Sequence, residues 1–253
     1  MAFLKWKKIK KAIFSLAGER KRSCSAVILA GGQSTRMGGI SKQLFSLRDK
    51  PIAVYSMLAF EACPSISEII LVAAENEIAA YQGFKEKYGI TKLAAIVKGG
   101  LTRAQSAANG FAEVSDKSGF VAIHDAARCL ITPEEIERVV EAGRKYGAAI
   151  AAAQATDTVK VADEQGFIRE TPDRSTVWLA QTPQVFKKTL YEVALAKVKK
   201  LTASITDDAS IAEAAGFKVK LVPCSHDNLK ITRRIDLATA SKILAARNGG
   251  THS

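Results

Sequence analysis

A glycine-rich turn with two cations beyond it gives this sequence its clearest chemical potential. The apolar run at residues 25–30 ends in Gly31-Gly32, and Arg36 and Lys42 follow. Such a turn lets backbone N–H groups approach phosphate oxygens. The two cations could stabilise charge on an attacked phosphorus and on departing pyrophosphate. The spacing fits neither a Walker A loop nor a dinucleotide fingerprint. We expect a triphosphate site; the alternative is a tight turn flanked by surface cations.

An aspartate follows another apolar run. Asp125 comes after residues 120–123 and His124, where a parallel strand delivers side chains to the ligand-binding edge of an α/β sheet. Its carboxylate suits Mg²⁺, and Arg128 could add a phosphate contact. We interpret His124 as a packing or hydrogen-bonding residue, because no second carboxylate lies close in sequence. The lack of a Gly-x-Ser-x-Gly elbow disfavours a Ser-His-Asp hydrolase.

A second diglycine turn opens a helical stretch. Gly99-Gly100 follows the apolar run at 93–97 and precedes Arg103 and Ser106. Free N–H groups at the start of such a helix could read a base edge or a ribose. Alone this motif is unspecific.

Apolar runs alternate with helical stretches along most of the chain. The predicted strands are 25–30, 68–74, 93–97, 120–123 and 148–153. The predicted helices lie near 51–62, 75–88, 102–114 and 132–146. The last of these begins with a capping threonine, a proline and two glutamates, all at favoured positions. The alternation predicts an α/β fold with a doubly wound, mostly parallel sheet.

Residues 155–176 interrupt this alternation. An alternating segment at 156–161, a turn at 163–166 and a further short run before Pro172 predict two short strands. We interpret them as a β-arm that leaves the sheet. The sequence therefore predicts a single domain over 23–248 with a protruding arm.

Residues 1–22 differ in character from the rest. They carry eight Lys and Arg residues against one Glu, and their apolar residues share one face of a helical wheel. A basic amphipathic helix of this kind could touch an anionic membrane surface. The alternative is a solvated extension, or a helix that packs on a partner subunit.

Composition excludes several classes of protein. The net charge of +12 is concentrated at the N-terminus, and the body has no basic run with interleaved aromatics, so we expect no nucleic-acid partner. Four scattered cysteines without a Cys-x-x-Cys pair are typical of reduced thiols, and we expect a cytoplasmic protein. No apolar run approaches the ~20 residues that a membrane span needs.

Several motifs in order resemble those of the methylerythritol phosphate cytidylyltransferase family of the non-mevalonate isoprenoid pathway. Beyond the two diglycine segments and His124–Arg128, they are Asp173-Arg174, Gln181-Thr182-Pro183-Gln184, Thr206-Asp207-Asp208-Ala209 and Asp227-Asn228-Leu229-Lys230. The resemblance covers about residues 24–246. It implies a Rossmann-like nucleotidyltransferase fold, CTP as co-substrate, a divalent cation such as Mg²⁺, and a homodimer in which each arm embraces the neighbouring subunit.

The resemblance also implies roles for individual residues. The implied catalytic residues are Arg36 and Lys42, at the α-phosphate of CTP, and Arg174 and Lys230, which hold the methylerythritol phosphate. The implied CTP contacts are Ala30, Gly31, Gly32, Arg36, Lys42, Gly99, Gly100, Arg103, Ser106, Ala126 and Arg128. The implied contacts to the sugar-alcohol phosphate are Asp125, Arg128, Thr158, Arg174, Thr182 and Lys230, with Asp125 also the metal ligand.

The sequence departs from the family pattern at three positions. Leu101 replaces a usual acidic residue, Ser41 replaces a proline before Lys42, and Cys129 replaces a proline after Arg128. Two alternative functions stay open at this point. One is a cytidylyltransferase that acts on ribitol phosphate, and the other is a non-catalytic protein that binds CTP or a membrane surface.

Overall fold

The computed structural model describes residues 23–31, 42–198 and 205–249. The predicted N-terminal helix lies outside these ranges, as do Gly32, Arg36 and Ser41.

The described ranges alternate between strands and helices. The strands are β1 (Cys24–Leu29), β2 (Ser46–Leu47), β3 (Lys50–Pro51), β4 (Ile66–Ala73), β5 (Leu93–Lys98), β6 (Phe120–Asp125), β7 (Ala148–Gln154), β8 (Val161–Ala162), β9 (Ile168–Glu170), β10 (Trp178–Lys187) and β11 (Lys220–Pro223). The α-helices are α1 (Ile52–Ala62), α2 (Ile78–Gln82), α3 (Phe84–Tyr88), α4 (Arg103–Ala112), α5 (Pro133–Tyr146), α6 (Lys188–Val198), α7 (Asp208–Ala214) and α8 (Arg234–Gly249). Short 3₁₀ turns occupy Lys42–Leu44, Glu75–Glu77 and Arg174–Thr176.

Seven strands form the central sheet, in the order β11-β7-β10-β6-β1-β4-β5. Pairing is parallel except for β10, which runs antiparallel to both β6 and β7. The prediction of a mostly parallel sheet in an α/β fold is confirmed. The parallel strands β1, β4, β5 and β6 all end at the same edge, so the loops that follow them meet there.

Alternate residues of the central strands face two different apolar layers. On β1, Ala26 and Ile28 pack into the layer that contains α1 and α5, whereas Val27 and Leu29 pack into the layer that contains α4, α6 and α7. Burial on both faces explains why β1 reads as a continuous apolar run. Helices on both sides of the sheet agree with the doubly wound prediction.

Helix α5 begins one residue after the predicted start and ends at the predicted residue. The Thr132 side chain accepts from the Glu135 N–H and Glu135 bonds back, a complete capping box. Gly147 ends the helix in the left-handed region, at φ 86°. The predicted helix at 75–88 is wrong in its continuity, because a 3₁₀ turn opens it and Gly83 separates α2 from α3.

Strands β8 and β9 pair as an antiparallel hairpin within residues 155–176. Its tip exposes two large apolar side chains, Phe167 and Ile168.

Within the described ranges, no helix combines the length and the apolar character that a membrane crossing requires.

Candidate active site

A cleft of about 930 Å³ opens where β1, β4, β5 and β6 end. Its walls come from the turn after β1, the 3₁₀ turn at Lys42–Leu44, the loop after β5 and the end of β6. Of the predicted site residues, the structure brings together Gly31, Lys42, Gly99, Gly100, Arg103, Ser106, Asp125 and Lys230 around this cleft.

The first diglycine turn is held tightly against the neighbouring strand. The Ala30 N–H donates to the Val72 carbonyl at 2.7 Å. A Cβ on Gly31 would lie 3.1 Å from the carbonyl carbon of Ala73, so a residue with a side chain would fit here only if the neighbouring backbone shifted slightly. Lys42 begins the following 3₁₀ turn and lines the cleft. The predicted partners Gly32 and Arg36 lie outside the described residues.

The second diglycine loop satisfies its own N–H groups. The Gly100 N–H donates to Ser106 Oγ at 3.0 Å, and the N–H groups of Leu101 and Thr102 donate to Gln105 Oε1 at 2.8 and 3.2 Å. The N–H groups of Gly100, Leu101 and Thr102 are therefore not free in this structure. Leu101 projects from the loop with its side chain 97% exposed.

A chain of ion pairs forms the floor of the cleft. Asp125 Oδ1 accepts from Arg103 Nε at 3.0 Å, and its Oδ2 accepts from Lys230 Nζ at 2.7 Å. Arg103 Nη1 continues the chain to Asp208 Oδ2 at 2.6 Å, and Tyr191 donates to Asp208 Oδ1 at 2.6 Å. The cleft thus presents a carboxylate bracketed by two cations.

The charges around Asp125 decide its protonation state. Burial alone would raise the pKa of Asp125, but the positive charges of Arg103 and Lys230 hold this pKa well below its usual value. Asp125 is therefore an anion throughout the neutral range. It can accept hydrogen bonds from hydroxyl groups or contribute to the binding of a cation.

His124 faces away from this chemistry. It is fully buried, its ring packs on Phe60 at 4.9 Å between centroids, and its Nδ1 lies 3.0 Å from Thr182 Oγ1. Burial lowers the pKa of His124 to about 3. A neutral imidazole without access to the cleft cannot act as a metal ligand or general base there, in agreement with the interpretation from sequence.

The buried residues behind Asp125 form a polar frame. The pairing of β10 with β7 is interrupted between Ala180 and Gln184, and within this interruption Thr182 Oγ1 accepts from the Asp125 N–H at 3.0 Å. Arg128 donates to the carbonyls of Asn228 and Ala180 at 2.8 and 3.2 Å. In this structure, Thr182 and Arg128 therefore position the backbone around the cleft, and Ala126 is buried beside them.

Two predicted substrate residues lie elsewhere in the subunit. Thr158 and Arg174 are exposed, at the base of the hairpin, and neither lines the cleft. Arg174 Nη1 donates to the Thr156 carbonyl at 2.8 Å, while the Asp173 carboxylate caps the Ser175 N–H. A single subunit does not bring these two residues to Asp125 and Lys230.

Asp208 and Tyr191 were not assigned roles from sequence. Asp208 belongs to one of the motifs that carry the family resemblance, but nothing in its spacing indicates that it reaches Arg103. Tyr191 lies in α6 without any local motif. One signal in the sequence could have found Asp208. Its neighbour Asp207 caps the helix, so the carboxylate of Asp208 is available for a different partner.

Asp125 is the one carboxylate that the described part of the cleft could offer to a metal ion. Among the described residues, no three His, Cys, Asp or Glu side chains are grouped as a protein-built metal site requires. The other acidic residue on the cleft wall, Glu75, pairs with Lys98 at 2.7 Å. Asp125 alone fits a Mg²⁺ ion that takes its remaining ligands from phosphates and water.

Comparisons with known proteins show the family to which the chain belongs. The family described as IspD: 2-C-methyl-D-erythritol 4-phosphate cytidylyltransferase matches residues 24–246. A relative from Caldanaerobacter subterraneus subsp. tengcongensis, which carries the same enzyme name, is 43% identical over 222 residues, covering 87% of this chain and 98% of the relative. Another, from Pelotomaculum thermopropionicum, is 38% identical over 227 residues, covering 89% and 95%.

Solved structures with that activity in their names share the fold. The 4-diphosphocytidyl-2C-methyl-D-erythritol synthase of Anaerococcus prevotii superposes with a TM-score of 0.80 at 29% identity, covering 88% of this chain and 99% of that one. The 2-C-methyl-D-erythritol 4-phosphate cytidylyltransferase of Thermus thermophilus gives 0.72 at 25% identity, with coverage of 87% and 98%. On these matches, the chain belongs to the 2-C-methyl-D-erythritol 4-phosphate cytidylyltransferase family.

Proposed function

We propose that this chain transfers the cytidylyl group of CTP to 2-C-methyl-D-erythritol 4-phosphate and releases pyrophosphate, in the synthesis of isoprenoid precursors. Family membership makes the chain a nucleotidyltransferase. The observation that carries the assignment of the site is the carboxylate of Asp125 bracketed by Arg103 and Lys230, on the floor of a cleft between two diglycine turns.

The nucleotide occupies the wall made by these turns. The triphosphate lies against Gly31 with Lys42 beside it, and Arg36 is the second cation that we assign to it. The base and ribose lie toward Gly99, Gly100 and Ser106. Arg36 and Lys42 neutralise charge on the α-phosphate and on the departing pyrophosphate.

The acceptor occupies the floor. Its phosphate pairs with Lys230, and its hydroxyl groups donate to Asp125. An oxygen of this phosphate attacks the α-phosphorus of CTP in line; the new P–O bond forms as the bond to the β-phosphate oxygen breaks. A phosphate monoester is already anionic near neutral pH, so the reaction needs no general base. Catalysis comes from positioning and charge neutralisation.

Mg²⁺, the proposed cofactor, would be held by Asp125 together with phosphate oxygens of the substrates. When bound, it supplies Lewis-acid stabilisation of the charge that develops on the phosphates. The protein's own part is to keep Asp125 ionised and oriented, through its bonds to Arg103 and Lys230.

We propose that the active form is a cytoplasmic homodimer. The exposed positions of Thr158 and Arg174, and the apolar tip at Phe167 and Ile168, support an arm that completes the acceptor site of a second copy. A mixture of Lys42→Ala and Arg174→Ala subunits tests this. Random assembly would give heterodimers with one intact site, and so about a quarter of the parent activity. Sites confined to one subunit would leave the mixture as inactive as its components.

The acceptor is tested by pyrophosphate release from CTP and Mg²⁺ with methylerythritol phosphate and ribitol phosphate in parallel. We expect turnover with the first. Turnover with ribitol phosphate alone would overturn the proposal.

Pelleting with anionic liposomes, with and without residues 1–22, tests the proposed membrane contact. Liposome binding by a protein without turnover would favour the non-catalytic alternative.

Lys42 provides the sharpest test of the catalytic roles. We expect Lys42→Ala to lower kcat by roughly 100- to 1,000-fold, with a much smaller change in the CTP dissociation constant, because its charge acts mainly in the transition state. Lys87→Ala is the matched control, since Lys87 is exposed and does not line the cleft. Near-normal turnover of the Lys42 variant would refute the assignment.

A further inference from the structure

Arg103 is shared between two carboxylates that have different surroundings. Its Nε donates to Asp125, on the cleft wall, and its Nη1 donates to Asp208, which is fully buried. Asp208 also accepts the hydroxyl of Tyr191 at 2.6 Å. Asp208 therefore does not line the cleft, and Arg103 connects its carboxylate to the proposed acceptor site.

Buried carboxylates are costly unless they are paired and hydrogen-bonded. Asp208 meets both conditions, through Arg103 and Tyr191. The result is a group of two cations, Arg103 and Lys230, and two carboxylates, Asp125 and Asp208. Without Asp208, the carboxylate of Asp125 would be the single anion shared by both cations.

The geometry of the guanidinium shows what Asp208 controls. Asp208 holds Nη1 and so fixes the orientation of the guanidinium, in which Nε donates to Asp125 Oδ1 while Asp125 Oδ2 accepts from Lys230. A guanidinium released from Asp208 could turn two nitrogens to Asp125, since this paired geometry is the one that arginine and carboxylates favour. Both oxygens of Asp125 would then be engaged by Arg103, and Lys230 would have to share Oδ2 with it.

We propose that Asp208 is a positioning residue for the acceptor: by holding Arg103, it keeps Asp125 and Lys230 in the arrangement that receives the sugar-alcohol phosphate. This inference rests on the function proposed above. Neither bond of Arg103 uses Nη2, so the nucleotide contact predicted for Arg103 does not depend on Asp208.

The neighbouring aspartate supplies a matched control. Asp207 caps the same helix, α7, and accepts from the Ser210 N–H at 2.9 Å and from Gln184 Nε2 at 2.7 Å. It is the same residue type at the same helix end as Asp208, but neither of these bonds involves Arg103. Asp207→Asn therefore tests what the loss of a carboxylate at this helix end does when Arg103 keeps its partner.

The test is steady-state kinetics on the full chain with each substrate varied in turn, together with the CTP dissociation constant measured without acceptor. For Asp208→Asn we expect kcat/KM for methylerythritol phosphate to fall by at least about 10-fold, while the CTP dissociation constant changes by less than about threefold. Asp207→Asn should lower the melting temperature and leave both kinetic ratios near those of the parent. In an Arg103→Lys background, Asp208→Asn should add little to the loss already present, because the two residues act as one unit.

Tyr191→Phe is the second variant, for the case in which Asp208→Asn does not fold. It removes one hydrogen bond from Asp208 and keeps the ring stacked on Phe186. We expect kcat/KM for the acceptor to fall by about threefold, less than in Asp208→Asn, with the CTP dissociation constant unchanged. Equal losses for both substrates in an active enzyme, or additive losses with Arg103→Lys, would overturn this inference alone. A parent enzyme without CTP-dependent pyrophosphate release would instead overturn the proposed function.

Discussion

His124 couples the stability of this protein to pH. The folded chain buries it as a neutral imidazole, with a pKa lowered by burial from about 6.5 to about 3. In the unfolded chain the same ring binds a proton as the pH falls below about 6.5. The unfolded state then binds more protons than the folded state, so the free energy of unfolding falls on acidification between about pH 6.5 and pH 3.

The size of this effect follows from the two pKa values. At pH 5 the proton is bound almost only in the unfolded chain, and His124 lowers the free energy of unfolding by about 2 kcal/mol relative to pH 7.5. Urea denaturation at both pH values measures it. His124→Asn replaces the ring by a group that does not titrate, so this variant should lose about 2 kcal/mol less than the parent between the two conditions.

An exposed histidine gives the control. His226 is exposed, and His226→Gln should keep the pH dependence of the parent. Equal pH dependence in the parent and in His124→Asn would show that the ring is not held neutral, and would refute the reasoning. The same result would reopen a catalytic role for His124, because an imidazole that titrates near neutral pH could exchange protons.

Other predictions concern packing, capping and exposure. A Cβ on Gly110 would lie 2.4 Å from Val27 Cγ1, so Gly110→Ala should lower the free energy of unfolding by about 1–3 kcal/mol, whereas Gly83→Ala, with nothing within 4 Å, should not destabilise. Thr132→Ala removes the cap of α5 and should cost about 1 kcal/mol in urea denaturation. Leu101→Asp should change stability by less than about 0.5 kcal/mol, because the side chain of Leu101 is 97% exposed; a larger loss would show that Leu101 packs on the protein.

The fold could be predicted where local signals and burial agree. Strand β1 lies between two parallel neighbours and is buried on both faces, so all its residues except Ser25 are apolar and its position is evident. Helix α5 carries a capping box, a proline and a terminal glycine, and its bounds differ from the prediction by one residue. In each case the pattern in sequence and the tertiary environment impose the same requirement.

Prediction was poorest where the environment is not local. Strand β10 contains Gln181, Thr182 and Pro183, which disrupt any simple alternation, and it runs against its neighbours. These residues occupy the interruption in pairing where Thr182 reaches Asp125. These polar residues lie within a strand and contact the site, so strand propensity alone does not predict that they belong to a strand.

In the candidate site, too, the positions of residues could be predicted, whereas the pairing of their charges could not. The edge of a parallel sheet predicts that Gly31, Gly99 and Asp125 converge, because all three follow strands that end together. It does not predict which charges pair: Arg103 and Asp208 are 105 residues apart, as are Asp125 and Lys230. Each of these ion pairs joins a residue at the sheet edge to one from the C-terminal part of the chain.

The preference of the cleft among anionic ligands depends on this pairing of charges and not on amino-acid composition alone. A site that binds a triphosphate and a sugar-alcohol phosphate needs cations, yet cations alone would bind any polyanion. In the proposed site, Asp125 is an anion that would repel misplaced phosphates and accept hydrogen bonds from hydroxyl groups, and its pKa stays low because Arg103 and Lys230 flank it. Burial raises the pKa of Asp208, against the opposing effects of the Arg103 charge and the Tyr191 hydroxyl. An anion held between two cations at the cleft favours an acceptor that carries both a phosphate and hydroxyl groups.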